Sequence, residues 1–130
     1  MVSRERTKYW MELVYYDLET AEAMLETERF LYVGYMCHQS VEKALKAYHW
    51  KEHQTEPPFV HNLSRLSENA GILKSLDRKQ LELVNVLNPL NIEARYPRDR
   101  EKLLEKLDYE YCRSIIDQTK ELIKWIEKKL

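Results

Sequence analysis

Glycine and proline are scarce in this chain, two and four respectively among 130 residues. A many-stranded sheet needs a turn every few residues, and turns draw on those two residue types, so the shortage argues against an all-β fold. Cysteine is scarce too. Cys37 and Cys112 lie far apart and neither belongs to a C-x-x-C pair, so they read as reduced, buried thiols rather than as a disulfide framework. No apolar run approaches the ~20 residues that cross a bilayer. The opening "MVSRERTKYW" has charges with no apolar stretch behind them, which predicts no secretory leader. Net charge is also lacking. With 21 basic and 22 acidic side chains the balance is −1, so any contact with a phosphate polymer must come from a local basic patch.

What is present is a mixture of 44% hydrophobic and 33% charged residues, interleaved as in amphipathic helices with solvated outer faces. The length predicts one domain, 1–130, built on one core. Trp10, Leu13, Val14, Asp17, Leu18, Ala21, Met24 and Leu25 follow a three-and-four rhythm, which predicts a first helix from about residue 7 to 27 with Thr7 as its cap. A break near "ETER" leads to a second helix, Phe30 to His53, which "TEPP" stops. "HNLSRLSENAG" reads as a short helix capped by Asn62 or His61 and ended by Gly71. Asp77 and Gln80 form a capping box for another helix, which Pro89 is expected to bend or end. "RDREKLLEKL" fits a loop or a short helix. Asp108 caps the last long helix, whose inward stripe is Cys112, Ile115, Ile116, Thr119, Leu122, Ile123 and Ile126. The fold expected is all-α: an up-and-down four-helix bundle with an additional short helix.

On a wheel of about 100° per residue, Cys37, Val41, Ala44 and Tyr48 form the core stripe of the second helix. His38, Glu42, His49 and His53 line its edge, and Gln39, Lys43 and Lys46 continue outward. Such a seam suits a cleft or a partner; its bland alternative is a solvated face with a Glu-to-Lys pair at i, i+4. Met36, Ser40 and Ala47, on the opposite flank, suit a second helical neighbour and favour a dimer seam. The stretch "HWKEH" (49–53) spells the H-x-x-E-H box of inverted zinc peptidases. No recognisable motif supplies a third ligand, and histidine at a helix C-terminus already suits the dipole, so the spelling reads as coincidence and no metal is expected.

"CHQSVEKALKAYHW" (37–50), Pro58, "HNLSRL" (61–66) and "EARYP" (93–97), with "YYDLETAEAML" (15–25) ahead of them, together resemble the HEPN domain family. The resemblance spans nearly the whole chain. It implies a small helical bundle similar to the C-terminal helical domain of kanamycin nucleotidyltransferase. It further implies a prokaryotic, cytoplasmic homodimer working beside a minimal nucleotidyltransferase, often in a toxin–antitoxin pair, with nucleotide or RNA as ligand. Ribonuclease members carry R-x(4–6)-H. No arginine here has a histidine five to seven positions later; after Arg95 those positions hold Arg100, Glu101 and Lys102.

The resemblance and this departure together imply a component that binds a nucleotide, an RNA phosphate or the transferase partner itself, more than an enzyme, with no cofactor. Its candidate residues are Arg95, Tyr96, His38, Gln39, Glu42, Lys43, Lys46 and His61. Arginine's planar fork suits phosphate and a tyrosine ring suits a base. The bland alternatives are an Arg95 ion pair with Glu42 or Glu93, a Tyr96 wedged between helices and a His61 that only caps a helix. Two other functional readings stay open: a metal-independent ribonuclease with a rearranged active site, and a purely structural dimeric helical partner.

Overall fold

The computed structural model describes residues 3–130. The elements are α1 (Ser3–Glu26), α2 (Phe30–His53), α3 (Leu63–Ala70), a 3₁₀ turn (Leu73–Ser75), α4 (Arg78–Glu93), α5 (Arg100–Lys106) and α6 (Tyr109–Glu127). No strand occurs among the described residues. Three residues connect α1 to α2, with Glu28 in the left-handed region at φ 60°. The two rods therefore fold back on each other as the main hairpin, and α6 packs on both. Around α2 lie all five other helices.

Most boundaries follow from local chemistry. Asn62 accepts a hydrogen bond from the Arg65 amide at 3.0 Å, and Gly71, at φ 86°, closes α3 in the left-handed conformation glycine tolerates best. Asp77 and Gln80 make a reciprocal capping box, each bond 2.8 Å. Asp99 and Asp108 cap α5 and α6 through the amides of Lys102 and Tyr111. Each such cap contributes about 1 kcal/mol. The predicted stripe of α6, from Cys112 to Ile126, is buried throughout.

Two expectations need correction. Thr7 lies inside α1, which already includes Ser3, and does not cap it. Pro89 does not end α4, which runs on to Glu93. The proline is exposed, so only one carbonyl on the solvent side loses its partner, whereas Leu83, Val84, Leu87, Leu90 and Asn91 are buried on both sides of it. That packing outweighs a local cost of about 3 kcal/mol. Ser40 meets α1 of the same chain, its hydroxyl donating to the Val14 carbonyl at 2.8 Å, and Ala47 is buried. That flank has a helical neighbour in α1 of the same chain.

Two contacts fix the register of the rods. Arg113 holds Glu22 with both terminal nitrogens at 2.8 and 2.7 Å, and Lys120 adds a third bond at 2.6 Å, tying α6 to α1. These bonds hold the Glu22 carboxyl down at about 2, against the opposing effect of partial burial. Gly34 lets α4 approach α2: a Cβ there would sit 2.4 Å from Leu90 Cδ1 and 3.3 Å from its Cγ. Gly34→Ala gains about 1 kcal/mol of helix propensity but overpacks Leu90 at a cost of about 1–3 kcal/mol. The expected result in urea denaturation is a net loss of stability. In a Leu90→Ala background the same substitution should become stabilising; if it stays destabilising there, the contact with Leu90 is not its cause.

Candidate functional site

Seven of the eight candidate residues lie along one flank of α2 and the segments that cover it. His38 is wholly buried and Glu42 is 4% exposed, so the seam does not face bulk water. Both Glu42 oxygens are engaged: Oε1 lies 2.9 Å from His61 Nδ1 and Oε2 accepts from Lys46 Nζ at 3.2 Å. A buried carboxylate needs this complete pairing, because removing either partner leaves an uncompensated charge in a low-dielectric site. His61 is therefore more than a cap, a role that Asn62 fills. Its ring remains 56% exposed while Nδ1 is fixed by Glu42, which leaves Nε2 as the free edge of a carboxylate–imidazole pair.

Beside this pair, the Gln39 side-chain amide donates to Asn91 Oδ1 at 3.2 Å and lies 3.4 Å from His38 Nδ1. An NH₂ group can only donate, so Nδ1 accepts and the His38 proton sits on Nε2. That nitrogen is buried and finds no hydrogen bond of normal geometry. Burial pushes the His38 pKa down to about 4, overcoming the opposite influence of the Glu42 charge and the His61 backbone; His61 and Arg95 push it down further. His38 is thus a neutral ring at the centre of the seam.

Arg95 stands just past the end of α4. Its Nε donates to the Asn91 carbonyl at 2.8 Å, and its guanidinium carbon lies 5.1 Å from the Tyr35 ring centroid and 5.7 Å from that of Tyr96. The ion pair expected with Glu42 or Glu93 does not form. Glu42 is occupied by Lys46 and His61, and the Nε–Asn91 bond sets the direction of the fork. Among the described residues no carboxylate lies within ion-pair distance of Arg95. Tyr96 is 71% exposed and is not wedged between helices.

Lys43 is the residue that departs. Its ammonium bonds Asp17 of α1 at 2.5 Å, on the far side of the seam, and it serves the α1–α2 contact. The sequence reading missed Asn91, which organises both Gln39 and Arg95, and Tyr35, which lies against the guanidinium. Neither had a signal in the sequence: Arg95 bonds the backbone carbonyl of Asn91, which any residue there would supply, and the approaches of Gln39 and Tyr35 depend on how α4 meets α2. The histidines of "HWKEH" are occupied elsewhere: His53 Nε2 lies 3.1 Å from the Ala70 carbonyl, and His49 Nε2 lies 3.4 Å from Thr55 Oγ1. Among the described residues no three His, Cys, Asp or Glu side chains are grouped to hold a metal ion. No helix among them is long and apolar enough to cross a membrane.

The depressed His38 pKa has a thermodynamic consequence. Between the usual value of 6.5 and about 4 the unfolded chain binds a proton at this ring and the folded chain does not. Stability contributed by the neutral ring is present above 6.5 and is lost as pH falls through that window, by up to about 3 kcal/mol. Denaturation of the parent and of His38→Gln at successive pH values should give curves that converge as pH drops from 6.5 to about 4. A difference that stays constant across the window would refute a neutral, buried His38.

A family model for the HEPN domain matches residues 7–129. No curated protein matches the chain. Among solved structures, the crystal structure of TT1696 from Thermus thermophilus is similar, with a TM-score of 0.82 over 96% of this chain and 98% of that one. At 20% identity that likeness concerns the fold alone. With the helical architecture and a family match over almost its entire length, the chain belongs to the HEPN domain family.

Proposed function

We propose that this HEPN domain protein is a nucleotide- or RNA-phosphate-binding component of a prokaryotic nucleotidyltransferase-linked system of the toxin–antitoxin type, acting in the cytoplasm as a homodimer. The observation that carries the reading is the state of Arg95. Its Nε is fixed to the Asn91 carbonyl and its guanidinium carbon lies 5.1 Å from the Tyr35 ring centroid and 5.7 Å from that of Tyr96, while its terminal nitrogens have no carboxylate partner among the described residues. A guanidinium held in this way has its fork pre-organised for a phosphate, so less freedom is lost on binding. Tyr96 beside it offers an open ring for a base. His38, Gln39, Glu42, Lys46 and His61 supply polar groups next to the clamp.

Titration of ATP against the protein, read by intrinsic fluorescence and by melting temperature, tests the reading. A saturable response is expected. Arg95→Ala should weaken it on the order of ten-fold or more, the effect of one lost charge-assisted hydrogen bond. Arg95→Lys should restore little of it, since an ammonium keeps the charge without the fork. An unchanged affinity in Arg95→Ala would take the nucleotide away from Arg95, and no saturable response in the parent would leave the purely structural role as the better reading.

One observation favours a second reading, a ribonuclease with a rearranged site. The Glu42–His61 pair resembles the carboxylate-oriented imidazole of a general base, with the exposed Nε2 free to take a proton. In that reading His61 removes the proton of a ribose 2′-hydroxyl, and the oxygen attacks the adjacent phosphorus. The bond to the 5′-oxygen then breaks, and the leaving oxygen takes up a proton. Incubation with single-stranded RNA in EDTA decides it. Cleavage that disappears in His61→Gln makes the protein an enzyme, whereas intact RNA, or cleavage indifferent to His61, removes this reading.

A further inference from the structure

We propose that Phe59, with Lys46 behind it, forms a second base-stacking subsite at the opposite end of the seam from Arg95 and Tyr96. This rests on the reading of Arg95 and Tyr96 as a phosphate and base contact, and it makes the preferred ligand a single strand several nucleotides long rather than a free nucleotide.

Phe59 is 97% exposed. A single exposed phenylalanine is ordinary on a protein surface; what sets this ring apart is the restraint of its loop and the cation held beside it. The loop that carries it is restrained. Pro57 and Pro58 precede it, the Val60 amide donates to the Pro58 carbonyl at 2.9 Å, and the Arg6–Glu56 ion pair ties the loop to α1. Lys46 Nζ lies 5.9 Å from the Phe59 ring centroid and 5.8 Å from that of Trp10. The Lys46 side chain is only 11% exposed and its ammonium is bonded to Glu42, so this cation is held near the ring rather than swinging into solvent.

The two ends of the seam therefore repeat one arrangement, an exposed aromatic ring with a fixed cation against it. Tyr35, which lies against Arg95, and Lys46 are eleven residues apart on α2, or about 16 Å along its axis. At about 3.4 Å per stacked nucleotide that span is roughly five steps, and fewer if the strand is extended. A single nucleotide fills one end. Between the ends Glu42 has both oxygens occupied, so it does not confront a phosphate backbone as a bare carboxylate. Stacking on Phe59 and Tyr96 is tolerant of base identity, and the strip predicts a length preference more than a sequence preference.

The test measures binding of AMP and of a six-nucleotide RNA to the parent protein, Phe59→Ala and Arg95→Ala, with sedimentation velocity on each. Phe59 is at the surface, so its truncation leaves the core intact. The expected pattern is tighter binding of the six-mer than of AMP by the parent. Phe59→Ala should weaken the six-mer on the order of ten-fold and leave AMP unchanged, while Arg95→Ala weakens both. Six-mer binding that depends on Arg95 but is indifferent to Phe59 would overturn the second subsite and spare the first. Equal loss of AMP and six-mer in Phe59→Ala would also overturn it, as would conversion of a dimer to monomers, which would assign the ring to a second copy of the chain. A parent protein that binds neither ligand defeats the Arg95 reading and this proposal together.

Discussion

Helix α2 is enclosed by every other helix of the bundle, and that enclosure is the constraint from which the site follows. A rod packed on all sides cannot keep ionisable groups in water, so Glu42, Lys46 and His38 have to be accommodated in the interior. Two solutions stand side by side. Glu42 and Lys46 stay paired, with His61 completing the second carboxylate oxygen. His38 instead gives up its charge, because burial makes the protonated ring more costly than the neutral one. Replacing such a seam by hydrocarbon is often neutral or stabilising for a protein. Here the seam lies beside an arginine without a carboxylate among the described residues, the feature on which the proposed function rests.

The seam also separates fixed parts from free ones. Asn91 anchors Gln39 through its side chain and Arg95 through its backbone, so the α2–α4 contact and the guanidinium are set by the same residue. Close approach at Gly34 brings α4 in far enough for this to happen. The groups left open, the Tyr96 and Phe59 rings and the outer edge of His61, are carried by segments that follow a helix or link two. A rigid scaffold thus presents a few accessible groups on its connections, the usual division between packing and binding.

Much of the fold was legible because it is written in local chemistry. The caps at Asn62, Asp77 and Asp108, the glycine closing α3 and the apolar stripe of α6 act over one or two helical turns, and a sequence records interactions of that range directly. Pro89 shows the complementary case: a local rule has it bend or end the helix, and it does not end it, because residues buried on both sides keep α4 running to Glu93. The candidate site was legible as a list of residue types more than as an arrangement. Position on the wheel of α2 identified the seam but could not separate Lys43 from it, since a rotation of about 40° decides whether that ammonium faces α4 or Asp17 of α1. Asn91, Tyr35 and Phe59 carried no isolated signal of comparable strength.

By itself, then, the sequence determined the helices, most of their ends, the apolar faces that must meet and the family, because each depends on residues near one another in the chain. Tertiary structure alone decided which charges are paired and which ring is neutral, that Arg95 is left without a carboxylate, and that the Lys46 ammonium lies near the exposed Phe59 ring. These outcomes depend on distances between segments tens of residues apart, and burial, pairing and the resulting proton affinities exist only once those segments have packed.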